Sequence, residues 1–187
     1  MLDLNKGSML DLTKIVEEEF QIAISWDAST TGGDVDLDVS AFLLAEDNGL
    51  KKIRGGSDVV FFNNKVHASG SVSLSGDSKD GRGDGDDEFI TIVTKNIPAD
   101  IVQVNVYSNI FTPPISFKDV KNAKAEIRTK AGKVLATFKL TDNFQTENTI
   151  LIGTVSKVNG NWTFTAEGEG YVTQDLNTIY AHLASGI

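Results

Sequence analysis

Apolar residues along this chain recur mostly at every second position, in short runs broken by turn residues. Phe20, Ile22, Ile24 and Trp26 alternate with polar or small neighbours, the period-two pattern of a strand with one buried face. Asp34-Val35-Asp36-Leu37-Asp38-Val39 keeps that period strictly. It places Val35, Leu37 and Val39 on one face and three aspartates on the other. Ala41–Leu44 continues as an apolar strand up to a turn at Asp47-Asn48-Gly49. Shorter strands follow at Asp58–Phe62, ending at Asn63-Asn64, then at Val72–Leu74, Phe89–Val93 and Ile101–Tyr107. Ala123–Thr129 and Val134–Leu140 form a hairpin across Lys130–Lys133, and Ile150–Val155 and Trp162–Ala166 flank Asn159-Gly160, a strong two-residue hairpin signal. At the start, Leu2, Leu4, Leu10 and Leu12 read as edge strands around Lys6-Gly7-Ser8, while Ile15–Glu19 is open to a helical turn. Only Leu176, Ile179, Tyr180 and Leu183 recur at helical spacing, with Asp175 placed as an N-cap. The pattern predicts an all-β fold, a jelly-roll-like sandwich of two antiparallel sheets with a short C-terminal helix. One domain is expected over residues 1–187, since no repeat or low-complexity linker divides them.

One stretch has no place in such a core. Gly76–Glu88 contains Asp77, Asp80, Asp84, Asp86, Asp87 and Glu88, four glycines, Lys79 and Arg82, and no apolar side chain. So many carboxylates in one loop repel each other unless a cation sits among them, and glycine lets the backbone wrap and present carbonyls. A hard, oxygen-seeking ion fits both features, calcium better than magnesium, which keeps more of its waters. The plain alternative is a solvated acidic loop. The Asp34/Asp36/Asp38 stripe is the second acidic feature. Aspartate is poor in strands and like charges on one face repel, so an ordinary wet face would be better built from serine or threonine. Residues i and i+2 lie about 6.6 Å apart on a strand and can lean in on one ion. Residues i and i+4, about 13 Å apart, cannot. Either the strand bends or two ions bind side by side with Asp36 between them. The acidic segment is not an EF-hand, because its glycines are misplaced and its flanks read as strands.

Charge and composition narrow the remaining classes. A net charge of −9 argues against nucleic acid and anionic membrane surfaces as partners. The absence of cysteine excludes disulfides and thiolate chemistry. The first residues lack the pattern of a signal peptide and no run reaches the ~20 apolar residues of a membrane span, so a cytoplasmic protein without membrane insertion is expected. His67 and His182 are the only histidines, and neither stands beside a nucleophile motif such as Gly-x-Ser-x-Gly. Clustering of carboxylates with glycine favours chelation over a poised acid and base. Trp26 and Trp162 sit in alternating strands and read as core. No enzyme activity is expected.

These motifs together resemble the TerD-type domain of bacterial tellurium-resistance and general stress proteins. The matching residues are Trp26-Asp27, Asp34–Leu44, Val60-Phe61-Phe62-Asn63-Asn64, Gly70-Ser71-Val72, Gly76-Asp77, Gly81, Gly83, Gly85-Asp86-Asp87-Glu88, Thr146–Thr149 and Gly168–Tyr171. The resemblance implies a β-sandwich that binds calcium, with two ions in a shared acidic cluster. By position it implies Asp34, Asp36, Asp38, Asp77, Asp86, Asp87 and Glu88 as metal ligands, with Asn63, Asn64 and Glu147 as further contributors. It implies a non-enzymatic module acting through other proteins of a tellurite-resistance-like stress system. The chain departs from the family where Ser78-Lys79-Asp80 stands in place of the usual Asn-x-Thr and where Val35 replaces an aromatic. Two other readings compete: a calcium-dependent binder of carbohydrate or a small ligand, and a metal-dependent phosphoesterase in which two ions clamp a phosphate.

Overall fold

The structure is a computed structural model that describes residues 2–13, 18–27, 35–75, 88–111, 116–140, 144, 146–173 and 175–187. Its strands are β1 (Leu2–Leu4), β2 (Met9–Asp11), β3 (Glu19–Asp27), β4 (Leu37–Asp47), β5 (Leu50–Lys52), β6 (Val59–Val60), β7 (Val72–Leu74), β8 (Glu88–Val93), β9 (Ile101–Ile110), β10 (Lys121–Thr129), β11 (Val134–Lys139), β12 (Thr149–Val158) and β13 (Asn161–Tyr171), followed by the helix α1 (Leu176–Ser185). A six-stranded sheet runs β1-β11-β10-β3-β8-β7. A seven-stranded sheet runs β2-β13-β12-β9-β4-β5, with β6 also paired to β4. The expected all-β sandwich with one C-terminal helix is what forms. Every named pairing is antiparallel except β1 with β11, which is parallel.

Local sequence explains most of these elements. Phe20, Ile22, Ile24 and Trp26 all point into the core from β3, as their period requires. Asn159 and Gly160 take positive φ, 52° and 84°, the pair of left-handed residues that a tight hairpin between twisted strands needs. Asp175 caps α1 through its side chain, accepting from the Asn177 N–H at 2.9 Å. Two expectations needed adjustment. The leucine pairs at the start do form edge strands, but β1 joins the six-stranded sheet and β2 the seven-stranded one, so the Lys6-Gly7 turn carries the chain between layers. The run from Asp58 contributes only Val59–Val60 as strand, because Gly56–Asp58 coils into a short 3-10 turn and Phe61 and Asn64 close a tight turn on each other.

Two apolar clusters result. The main core lies between the sheets and takes Leu37, Val39, Ala41 and Leu43 from β4. The alternate β4 residues Phe42 and Leu44 face outward and pack with Tyr107, Leu151, Ile179 and Leu183. The helix therefore covers part of the outer face of the seven-stranded sheet. Burying Ile179 and Leu183 there contributes roughly 1.5–3 kcal/mol each. By strand period, Asp38 and Ser40 share this outer face with Phe42 and Leu44.

Candidate functional site

The aspartate stripe begins where the helix-covered face ends. Asp36 and Asp38 are half-buried, whereas their neighbours Val35, Leu37 and Val39 are fully buried. The expected division of faces holds for the described residues. The stripe is not an open wet surface, because the same face runs directly into Phe42 beneath the helix. Strand register sets Asp38 opposite Asn109 of β9, and Asn109 in turn opposite Thr149 of β12. The Asp36 carbonyl accepts from the Phe111 N–H at 2.9 Å, which extends the β4–β9 ladder past Leu37 and fixes the backbone that carries both aspartates.

Glu88 reaches the same strand from the other sheet. It opens β8 directly after the acidic segment and is 2% exposed. Its carboxylate accepts the Val39 N–H at 2.8 Å. Strand β6 pairs with β4 only at Ala41 and Phe42, so the Val39 donor lies beyond the reach of a backbone partner on that edge, and the carboxylate supplies one. The end of the acidic segment is thus pinned to the strand of the aspartate stripe by a charge-assisted hydrogen bond.

The other residues implied as ligands are placed less centrally. Asn64 donates its side-chain N–H to the Val59 carbonyl at 2.6 Å, holding its own turn, and Asn63 is exposed beside it. Glu147 lines a separate cavity of about 680 Å3 with Phe138, Phe144 and Lys139, and its carboxylate accepts from the Thr146 N–H. Asp34, Asp77, Asp86 and Asp87 lie outside the described residues. Among the described residues no three histidine, aspartate or glutamate side chains gather to hold an ion by themselves. Asp38 is carried on β4, Asp36 directly precedes it and Glu88 is bound to the strand's backbone; all three are carboxylates, the hard-oxygen chemistry that suits calcium.

A buried ionic network supports the adjoining wall, and the sequence did not reveal it. Arg54 grips Asp58 with two bonds, Nε to Oδ2 at 2.7 Å and Nη2 to Oδ1 at 3.0 Å, and also pairs with Asp100. His67 Nε2 lies 3.2 Å from Asp58 Oδ1, and its Nδ1 lies 2.8 Å from the Ser69 hydroxyl. An ionised carboxylate only accepts, so Nε2 carries the proton. Burial acts against the Asp58 charge, but hydrogen bonds from Arg54 and His67 outweigh it and hold the carboxyl below its ordinary range. The Asp58 hydrogen bond likewise raises the Arg54 guanidinium. The network anchors the Gly55–Val60 turn, whose Val59 faces the helix. The signal available in sequence was only an Arg and an Asp four apart beside a lone histidine.

Under α1 the outer face carries a polar ladder. Lys51 donates to Gln103 at 2.6 Å and Gln103 to Asn105 at 2.6 Å. The Tyr107 ring meets Phe42 edge-on at 5.4 Å and lies 6.2 Å from Tyr171. Burial raises the pKa of both tyrosine phenols, and the nearby Glu169 adds to the rise. Among the described residues no helix is long and apolar enough to cross a membrane.

The chain has relatives among known proteins. A family model described as TerD domain matches residues 1–182. Tellurium resistance protein TerD of Serratia marcescens is 37% identical over 177 residues, covering 91% of both chains. General stress protein 16U of Bacillus subtilis is 32% identical over 178 residues, again covering 91% of each. A solved homologue of the telluride resistance protein TerD from Streptomyces coelicolor shares the fold, with a TM-score of 0.71 and 21% identity over 85% of this chain and 93% of its own. With a family model that matches residues 1–182 and a relative 37% identical over 91% of both chains, the chain belongs to the TerD family.

Proposed function

We propose that this protein is a non-enzymatic calcium-binding module of a bacterial stress system of the tellurium-resistance type, acting in the cytoplasm through partner proteins. The observation that carries this reading is the Glu88 carboxylate bound to the Val39 N–H. It holds the end of the acidic segment against the strand bearing Asp36 and Asp38. Calcium bound there would neutralise the clustered carboxylates and tie β4 to the Gly76–Glu88 segment, giving partner proteins one ordered surface to read. Asp34, Asp36 and Asp38 would supply ligands from the strand, and Asp77, Asp86, Asp87 and Glu88 from the segment. Two ions are favoured because the first and last carboxylates of the stripe are too far apart to share one.

Calorimetric titration with calcium tests this directly. Asp36→Asn removes a strand-fixed carboxylate at the centre of the stripe and is expected to weaken binding at least tenfold. Asp80→Asn, at a position where this chain departs from its family, is expected to change it less than threefold. Equal effects of the two substitutions, or no calcium heat in the wild type, would refute the reading.

A further inference from the structure

A cavity of about 490 Å3 opens between α1, the β6 turn and the outer face of β4 and β9. Its walls are largely aromatic, with Phe42, Phe61, Phe62, Phe111 and Tyr180 around it. Phe62 is 47% and Phe111 62% exposed, so part of the ring wall meets water. An apolar concave site of this size suits a small organic molecule. The polar groups in its wall narrow the class. Asp175 and Asn177 bond each other at the helix cap, through the Asn177 backbone N–H at 2.9 Å and its side-chain N–H at 2.7 Å. Asp38 is already engaged in an interaction of its own. Among the described residues no lysine, arginine or histidine lines the cavity. A charged ligand of either sign therefore finds no free counter-charge there. The Asn109 amide is the exception among the polar groups. It lines the cavity from β9, is 2% exposed, and its Oδ1 has no hydrogen-bond partner among the described residues. A buried acceptor left without a donor is unfavourable. An amide turned over about its last bond presents N–H in place of oxygen, and a hydroxyl group, which both donates and accepts, satisfies it in either orientation.

We propose that this cavity binds a small uncharged molecule with an apolar, ring-sized body and one hydroxyl group. The hydroxyl donates to Asn109 Oδ1, or accepts from the side-chain N–H when the amide is turned, and the body lies against the aromatic walls. Asp38 has no part in holding it. Charged ligands are disfavoured, because they would leave water for a cavity without a free partner charge. The site is separate from the proposed calcium cluster, and neither depends on the other.

The test is an NMR titration of the full chain in the presence of a chelator, following backbone amides. The probes are 2-phenylethanol, the hydrocarbon ethylbenzene, the cation 2-phenylethylammonium and the anion phenylacetate. Saturable shifts are expected at Phe61, Phe62, Asn109, Phe111 and Tyr180 with the alcohol. Ethylbenzene should bind about fivefold more weakly, the loss of one hydrogen bond. Both ions should bind about tenfold more weakly or worse. Asn109→Leu should erase the preference for the alcohol over the hydrocarbon, while Phe62→Ala, which removes an exposed wall ring, should weaken both by about threefold. Should the buried Asn109→Leu variant fail to fold, the probe series on the wild type and the Phe62→Ala variant carry the comparison. The proposal is overturned if ethylbenzene or either ion binds the wild type as well as the alcohol does, if shifts fall outside the cavity, or if Phe62→Ala leaves binding unchanged. It is equally overturned if Asn109→Leu weakens calcium binding and leaves the preference for the alcohol intact, since the amide would then belong to the ion. A calcium titration of the wild type without chelator tests the calcium reading by itself, so the two proposals can fail separately.

Discussion

Replacing Glu88 with alanine is expected to lower the free energy of unfolding by about 2–4 kcal/mol, and replacing it with glutamine by only about 1 kcal/mol. The difference follows from what the carboxylate does. Glu88 is buried and accepts the Val39 N–H across the two sheets. Alanine leaves that donor without an acceptor and opens a gap where the side chain lay, and both effects are destabilising. Glutamine keeps an acceptor oxygen of nearly the same shape and removes only the charge. For a domain of this size each kcal/mol moves the melting midpoint by about 2–4 °C, so alanine should lower it by roughly 5–15 °C. Calcium binding should respond in another order. Glutamine, nearly native in stability, is expected to lose most of the calcium affinity because the ion loses a charged ligand. If glutamine binds calcium as the wild type does, Glu88 is a structural strut between sheets and not a ligand.

The second large effect concerns Asp58. Asp58→Ala should cost about 2–3 kcal/mol, because it leaves the buried His67 without its acceptor and Arg54 without its bidentate partner. The cost stays at this level because Arg54 is 41% exposed and can turn to water or remain on Asp100. The effect also has a pH signature. The folded-state pKa of Asp58 is depressed, so its contribution is fully present above the ordinary carboxylate pKa of about 4 and is lost as pH falls through the lower folded value. Denaturant melts should therefore show the wild-type advantage over Asp58→Asn constant above about pH 5 and shrinking below pH 4. An advantage that grows toward acid would contradict this sign. The same substitution should disturb the cavity beneath α1, since the Gly55–Val60 turn that the network anchors supplies Gly56 and Val59 to its wall.

These two residues mark the limit of what alternation along the chain can reveal. The β3 strand, the Asn159-Gly160 hairpin and the Asp175 cap were legible because each is decided within a few residues, by side-chain period, positive φ or a local hydrogen bond. Leu37, Val39, Ala41 and Leu43 were legible as core for the same reason. Whether the opposite face of β4 meets water was not legible, since that depends on α1 folding back from well over a hundred residues downstream. The split of β1 and β2 between sheets was hidden too, because short leucine pairs carry no record of their partners. The Arg54–Asp58–His67 network is close in sequence, but no motif encodes the burial of its carboxylate, and the Asp100 contact comes from a remote segment. Glu88 lay between the two cases. Its place at the end of an acidic segment pointed to a ligand, while its inward reach to Val39 N–H required the sandwich to be assembled.

The central claim is that the carboxylates around β4 form a calcium site, and a thermal melt with and without calcium, against a magnesium control, tests it most directly. A ligand that binds only the folded state adds about 2.7 kcal/mol of stability at a hundredfold excess over its Kd, which for this chain is roughly 5–10 °C. The account predicts a rise of that size with calcium, a much smaller one with magnesium, and its loss in Glu88→Gln. An unchanged midpoint at millimolar calcium, or equal rises with both ions, would contradict it and return the Gly76–Glu88 segment to a solvated acidic loop.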